Sequence, residues 1–305
     1  MSRIPGGRLE SWGRATVSNT RAVFGSCRRG GGRHDEAIGG ELPTARGATR
    51  MANDQRERRL AWDGCLNARD LGGYATADGR ETRWGRVVRS ASLEALTPAG
   101  QDALAAYGVR TVVDLRSADE LAAFPNPFAA DEEAKRHGIA YIHAPLVDPA
   151  AGDPPPFTTL ADLYAGMFDR FACQIAGVMT TIAGAAEGGV LVHCRAGKDR
   201  TGLICALLLD LARVDRATIA ADYALNAECL REQELDYVEN GPGDRAEREK
   251  ILTVYAPTAA VMTETLDRLA ARHGGAEPYL LQAGVSTGEI AALRERLLGS
   301  GDGGA

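Results

Sequence analysis

The chain has 305 residues, 45% hydrophobic and 25% charged, with a formal net charge of −6. That length allows a sizeable core and one or two domains, and an acidic total argues against a nucleic-acid partner. No run of eighteen apolar residues occurs, so no membrane-spanning segment is expected.

The first fifty residues hold nine arginines against four acidic residues, with many Gly, Ser and Thr. They show no apolar core of a secretory signal, although Arg-rich, acid-poor composition also marks transit peptides. Met51 stands just before the first regular pattern. Residues 1–55 are therefore expected to be a disordered extension or the product of a start codon assigned too early. One folded domain is expected over 56–300.

Residues 60–63 read as an opening strand and 83–89 as a second. Thr97 caps a helix with Pro98 at its first position, ending near Gly108. A strand over 109–115 follows, then a polar stretch over 118–137 and another strand over 139–146. The proline-rich segment 149–156 reads as a loop beside the pocket. Residues 160–185 read as one long helix, 190–193 as a short buried strand and 203–211 as a buried helix. Asp215 caps a helix over 217–226. Residues 227–256 form a charged, amphipathic pair broken at Asn240-Gly-Pro-Gly243, read as surface helices or as a lid. Helices over 257–272 and 286–298 close the chain, and 299–305 is expected to fray. Alternating strands and helices imply an α/β fold.

The chemistry lies in Val190-Leu-Val-His-Cys-Arg-Ala-Gly-Lys-Asp-Arg-Thr-Gly202. The loop from Cys194 through Arg195, Ala196, Gly197 and Lys198 to Thr201 joins a strand end to a helix start. A helix start offers unpartnered amides and partial positive charge, which suit a phosphate dianion. Gly197 permits close backbone approach. Cys194 is the candidate nucleophile, since amides, helix dipole and Arg200 all favour a thiolate. Arg200 has the planar fork that grips two phosphate oxygens, and Thr201 can donate to the sulfur. Lys198 adds a second cation. Asp199 is a candidate general acid or a salt-bridge partner. Asp114, ending its strand two residues before Arg116, is the alternative acid or half of a structural pair. Arg69-Asp70 reads as a loop salt bridge or an anion contact, and Arg89 likewise. His193 is read as a hydrogen-bonding support. Six cysteines without a Cys-x-x-Cys pair imply neither metal nor cofactor and suit a reduced, cytoplasmic compartment, where a low-pKa Cys194 would oxidise reversibly.

The string His193-Cys-Arg-Ala-Gly-Lys-Asp-Arg-Thr-Gly202 resembles the signature of cysteine-dependent protein tyrosine phosphatases. It is most similar to an atypical bacterial branch with tyrosine and phosphoinositide activity. Asn67-Ala-Arg-Asp-Leu-Gly-Gly-Tyr74 resembles that branch's entry motif, with Ala68 where an aromatic is usual. Val88-Arg-Ser90, Thr111-Val-Val-Asp-Leu-Arg-Ser117 with Glu120, and Tyr279-Leu-Leu-Gln-Ala-Gly-Val285 also match. The resemblance implies a four- or five-stranded, mostly parallel sheet with helices on both faces and a helical C-terminal lid or tail. It implies Cys194 as nucleophile, Arg200 as phosphate ligand, and Lys198 and Asp199 as the pair peculiar to the branch. No Trp-Pro-Asp acid loop is present, which favours Asp199. The expected reaction is metal-independent phosphomonoester hydrolysis through a phosphocysteine. The expected partner is a phosphorylated protein or a phosphoinositide, and oligomeric state is left open. The alternatives are a rhodanese-like sulfurtransferase and an inactive phospho-ligand binding module.

Overall fold

The computed structural model describes residues 58–147 and 157–299. The predicted N-terminal extension and the whole proline-rich loop over 149–156 lie outside them. At the centre is a five-stranded sheet in the order β1 (Arg69–Asp70), β2 (Val87–Ser90), β5 (Gly189–His193), β3 (Val109–Asp114), β4 (Ala140–His143). Only β1 is antiparallel to its neighbour. The parallel register pairs Ser90 with His193, His193 with Asp114, and Asp114 with His143. Four strands therefore end along one edge, where open α/β sheets bind ligands.

Side chains alternate across the sheet, so each face builds its own core. Val87, Val113, Val190 and Val192 join the larger cluster, with Ile182, Leu203 and Leu207 from flanking helices. Val88, Val112 and Leu191 point the other way, onto Leu104 of α1 (Pro98–Ala106) and onto Phe128, which lies between α2 (Ala118–Ala123) and α3 (Asp131–His137). Strands buried on both faces read as continuous apolar runs, which is why β5 is conspicuous in the sequence.

Several boundaries move. Residues 60–63 form a turn, with Leu60 N–H donating to Ala68 O, rather than a strand. The second strand begins only at Val87, because Gly85 adopts φ +69° and its amide donates to the Asp70 carboxylate. The fourth shortens to Ala140–His143. The single helix over 160–185 is two, α4 (Leu160–Arg170) and α5 (Ala172–Gly184). Buried Phe171, at φ −113° and ψ 27°, makes the break. No Pro or Gly marks it, so tertiary packing overrides the helical pattern. The helix after the signature strand, α6 (Asp199–Leu211), starts four residues before the apolar run. Asp215 caps α7 (Arg216–Ala224) through Ala217 and Thr218 amides. A short α8 (Asn226–Cys229) leads into the charged pair, α9 (Arg231–Asn240) and α10 (Arg245–Val254). Among the described residues, no helix is long and apolar enough to cross a membrane.

Candidate active site

Cys194 follows β5 directly and is 2% exposed. The loop after it is held from outside by side chains of other elements. Asn67 Nδ2 donates to Ala196 O (2.9 Å) and Gly197 O (3.3 Å), and Arg89 Nη2 donates to Gly197 O (2.8 Å). Ser92 N–H donates to Arg195 O at 3.0 Å. In a trans peptide the N–H points opposite the C=O. Pinning those three carbonyls therefore aims the amides of Ala196, Gly197 and Lys198 away from the supports. This is the arrangement a bound oxyanion needs. Gly197 adopts φ +67°, and a Cβ there would come within 2.2 Å of Ser90 O.

The supports form a buried ionic cluster. Asp222 on α7 accepts from Arg69 Nε at 3.0 Å, Arg89 Nη1 at 2.6 Å and Tyr74 Oη at 3.0 Å. Asn67 Nδ2 also reaches Asn226 Oδ1 at 2.8 Å. Burial pushes the Asp222 carboxyl up, but the charges of Arg69 and Arg89 outweigh it and hold the group at about 2. Arg69 and Arg89 thus serve neither the expected Asp70 bridge nor a ligand directly. Asp70 instead accepts from the Gly72 and Gly85 amides and from Tyr107 Oη.

Arg200 stands on the first turn of α6, paired with Glu120 through two bonds of 2.5 and 2.8 Å. Burial raises the Glu120 carboxyl, yet the Arg200 hydrogen bonds and charge bring it to about 2. The pair fixes the guanidinium plane beside the loop. Arg195 turns its side chain away to Glu94, to Ser92 Oγ (3.2 Å) and onto the Phe124 ring; its backbone remains in the loop. Thr201 Oγ1 is buried and has no hydrogen-bond partner among the described residues.

Asp199 and Lys198 have different neighbours. Tyr164 Oη donates to Asp199 Oδ1 at 2.5 Å, and the Tyr223 hydroxyl lies 2.6 Å from that of Tyr164. Lys198 Nζ donates to Tyr255 O (3.0 Å), just past α10. Glu234 on α9 senses both Lys198 and Asp199, and burial raises its carboxyl. These contacts set the helical pair beside the loop, the lid position weighed from the sequence.

Asp114 is wholly buried. It accepts from Arg116 Nε and Nη2 (3.0 and 2.7 Å) and from Tyr141 Oη (3.0 Å). Burial pushes its carboxyl up, but the hydrogen bonds and charge of Arg116 hold it well below the usual range. His193 lies 3.0 Å from Asn126 Nδ2 and 3.2 Å from Cys194 O. Burial lowers its basicity, so a neutral ring donating from Nδ1 to Cys194 O and accepting at Nε2 accounts for both contacts. Among the described residues, no group of three or more His, Cys, Asp or Glu is placed to hold a metal ion.

Sequence reasoning passed over Asn67 and Asn226 as supports, Glu120 as the partner of Arg200, and Tyr164. The last left one signal: a tyrosine among the apolar positions of a buried helix needs a partner for its hydroxyl.

Known proteins of similar sequence identify the family. Residues 60–299 match the model of the tyrosine phosphatase family. A tyrosine-protein phosphatase of Nostoc commune is 38% identical over 218 residues, covering 69% of this chain and 73% of the relative. A triple specificity protein phosphatase, PtpB, of Mycobacterium tuberculosis is 29% identical over 276 residues, covering 77% of this chain and 98% of the relative. The family match over 60–299 decides between the phosphatase and sulfurtransferase readings: the chain belongs to the tyrosine phosphatase family, whose members work through an active-site cysteine.

Proposed function

We propose that Cys194 attacks the phosphorus of a phosphomonoester and forms a phosphocysteine, which water then hydrolyses. The observation that supports this most is the loop after β5, whose carbonyls at Arg195, Ala196 and Gly197 are tied back by Ser92, Asn67 and Arg89. The amides of Ala196, Gly197 and Lys198, with Arg200, then receive the three non-bridging oxygens. Arg200 stabilises their growing charge in the transition state. Thr201 Oγ1, buried beside the sulfur's loop, donates to the thiolate when it leaves.

Asp199 is the acid in this reading. It protonates the leaving oxygen in the first step and takes a proton from water in the second. Asp114 is a poorer candidate, because Arg116, Tyr141 and His193 already surround its carboxylate. Lys198 supplies a further cation for a multiply charged ligand.

Phosphotyrosine in proteins is the preferred substrate, with phosphoserine, phosphothreonine or phosphoinositides as further candidates. The name of the triple specificity relative supports that breadth. The match over 60–299 supports a single phosphatase domain, and free thiols at Cys65, Cys173, Cys205 and Cys229 suit the cytoplasm.

The test is turnover of p-nitrophenyl phosphate with chelator present, followed by a panel of phosphopeptides and phosphoinositides. Cys194→Ser is expected to abolish turnover and keep the fold. Residual activity within about tenfold of wild type would overturn the nucleophile, since losing one costs orders of magnitude more.

A further inference from the structure

Tyr164 on α4 and Tyr223 on α7 are both fully buried and lie 59 residues apart in sequence. Their rings meet edge to face, with centroids 6.1 Å apart. Their hydroxyl oxygens lie 2.6 Å apart, and Tyr164 Oη is 2.5 Å from Asp199 Oδ1. A phenol has one proton to give. Tyr164 commits its proton to the carboxylate, so Tyr223 must donate to Tyr164. The order is Tyr223 Oη–H to Tyr164 Oη–H to Asp199 Oδ1, a chain in which each bond polarises the next. Burial lifts both phenols above their ordinary range, so they remain donors wherever a phosphatase is assayed.

The far end of the chain is firmly placed. The Tyr223 ring packs on the start of α6, where a Cβ at Gly202 would approach it to 3.1 Å. Its neighbour Asp222 anchors Arg69 and Arg89. Among the described residues, Arg200 on its own helix, Glu234 on α9 and Tyr255 after α10 also feel the charge of Asp199, and the cation Lys198 precedes it in the loop.

We propose that Tyr164 and Tyr223 form a two-hydroxyl relay that orients Asp199 and stabilises its ionised form, making both of them positioning residues for proton transfer. The inference rests on Asp199 being the acid. In the first step the S–P bond forms and the P–O bond to the leaving group breaks, while the proton on Asp199 Oδ2 passes to the leaving oxygen. Tyr164 holds Oδ1 and steadies the carboxylate left behind. In the second step water attacks phosphorus, its proton goes to Oδ2, and the S–P electron pair returns to sulfur. The same relay then holds the base in place.

The experiment compares Tyr164→Phe, Tyr223→Phe and Asp199→Asn on phenyl phosphate and p-nitrophenyl phosphate across pH, with inorganic phosphate inhibition as a check on the cup. Removing a donor from the anion makes that anion a better base. Tyr164→Phe is therefore expected to move the alkaline limb of kcat/KM upward by about one pH unit, a tenfold change in proton affinity. It should slow phenyl phosphate about tenfold but p-nitrophenyl phosphate less than about threefold, because the better leaving group needs less help. Tyr223→Phe should act in the same direction but less strongly, and phosphate inhibition should hold within about twofold in both, since neither hydroxyl touches the loop amides. A Tyr164→Phe enzyme that slows both substrates equally with its limb unmoved overturns the relay. If that variant does not fold, an unmoved limb in folded Tyr223→Phe overturns it instead. Should Asp199→Asn depend on the leaving group while neither tyrosine variant does, the relay alone fails. Should Asp199→Asn slow both substrates equally, the acid assignment fails and takes the relay with it.

Discussion

Among the described residues, the Asp222 carboxylate bonds to Arg69, Arg89 and Tyr74 rather than to the signature loop, yet its removal should be felt both in stability and in turnover. Its carboxylate is the counter-charge of two fully buried guanidiniums, Arg69 and Arg89. Asp222→Asn keeps the shape and leaves those cations without an anion. Breaking a buried pair from one side costs about 3–5 kcal/mol. Part of that cost is visible as a pH effect. The carboxyl sits at about 2 in the folded chain against 3.8 for an unperturbed one. A folded value below the unfolded one stabilises above the unfolded value and fades as pH falls through the folded one. At about 1.36 kcal/mol per unit, ionised Asp222 contributes roughly 2–3 kcal/mol at pH 7 and about 1 kcal/mol less at pH 3. Urea unfolding of wild type and Asp222→Asn at both pH values isolates this share, because the other acids titrate alike in each. The gap between the two proteins should exceed about 2 kcal/mol at pH 7 and narrow by about 1 kcal/mol at pH 3. Activity should fall too, since Arg89 also holds Gly197 O. A gap under about 1 kcal/mol at pH 7, or one equally wide at pH 3, refutes the account of Asp222 as the buried counter-charge.

Two further outcomes follow from the same geometry. Gly197→Ala must fit a Cβ against Ser90 O at φ +67°; a thermal melt should show a loss of at least about 1–2 kcal/mol, and phosphate should lose its inhibition, whereas a phosphate affinity equal to wild type would mean the loop is not the cup. Glu120→Gln keeps a hydrogen bond to Arg200 but removes the charge, so kcat/KM should drop about tenfold, as for a weakened charge-assisted pair; because Glu120 is held at about 2, the pH profile should keep its shape, and a displaced limb would show that Glu120 titrates in the working range.

Legibility in the sequence followed the range of the interactions. The strand, loop and helix of the signature were readable because each is decided locally: a β-branched apolar run, a glycine at positive φ, and an apolar helix. The lid pair was readable because Gly243, at φ +82°, punctuates it. Phe171 was not readable as a break, since only its burial in the core makes one. Arg69 and Arg89 were singled out, but their shared partner lies 153 and 133 residues away. Asp70 was assigned to Arg69 by adjacency, although neighbouring strand residues face opposite sides. Glu120 appeared in a motif with no task attached, and only the fold brings it to Arg200 across 80 residues.

The placement of the acid candidate gives the buried cluster a reason beyond stability. Asp199, Arg200 and the loop amides occupy one continuous stretch of seven residues from Cys194 to Arg200. A shift of that stretch moves the proposed nucleophile, cup and acid together, and roughly 1 Å of misplacement can cost a hundredfold in rate. An acid on a separate loop could be corrected by that loop's own motion, whereas here accuracy must come from what lies beneath. Asn67, Arg89 and Ser92 hold the carbonyl side, Glu120 holds the guanidinium, and Tyr164 holds the carboxylate. Those supports come from four different segments of the chain, so they act as a frame only once the sheet and its helices have assembled. Burying Arg69, Arg89 and Asp222 together is costly as a way to stabilise a fold, because apolar side chains of similar volume often serve as well or better. It is a reasonable way to fix the direction of a carbonyl, because a charged donor locked between a carboxylate and a main-chain oxygen has few other places to go.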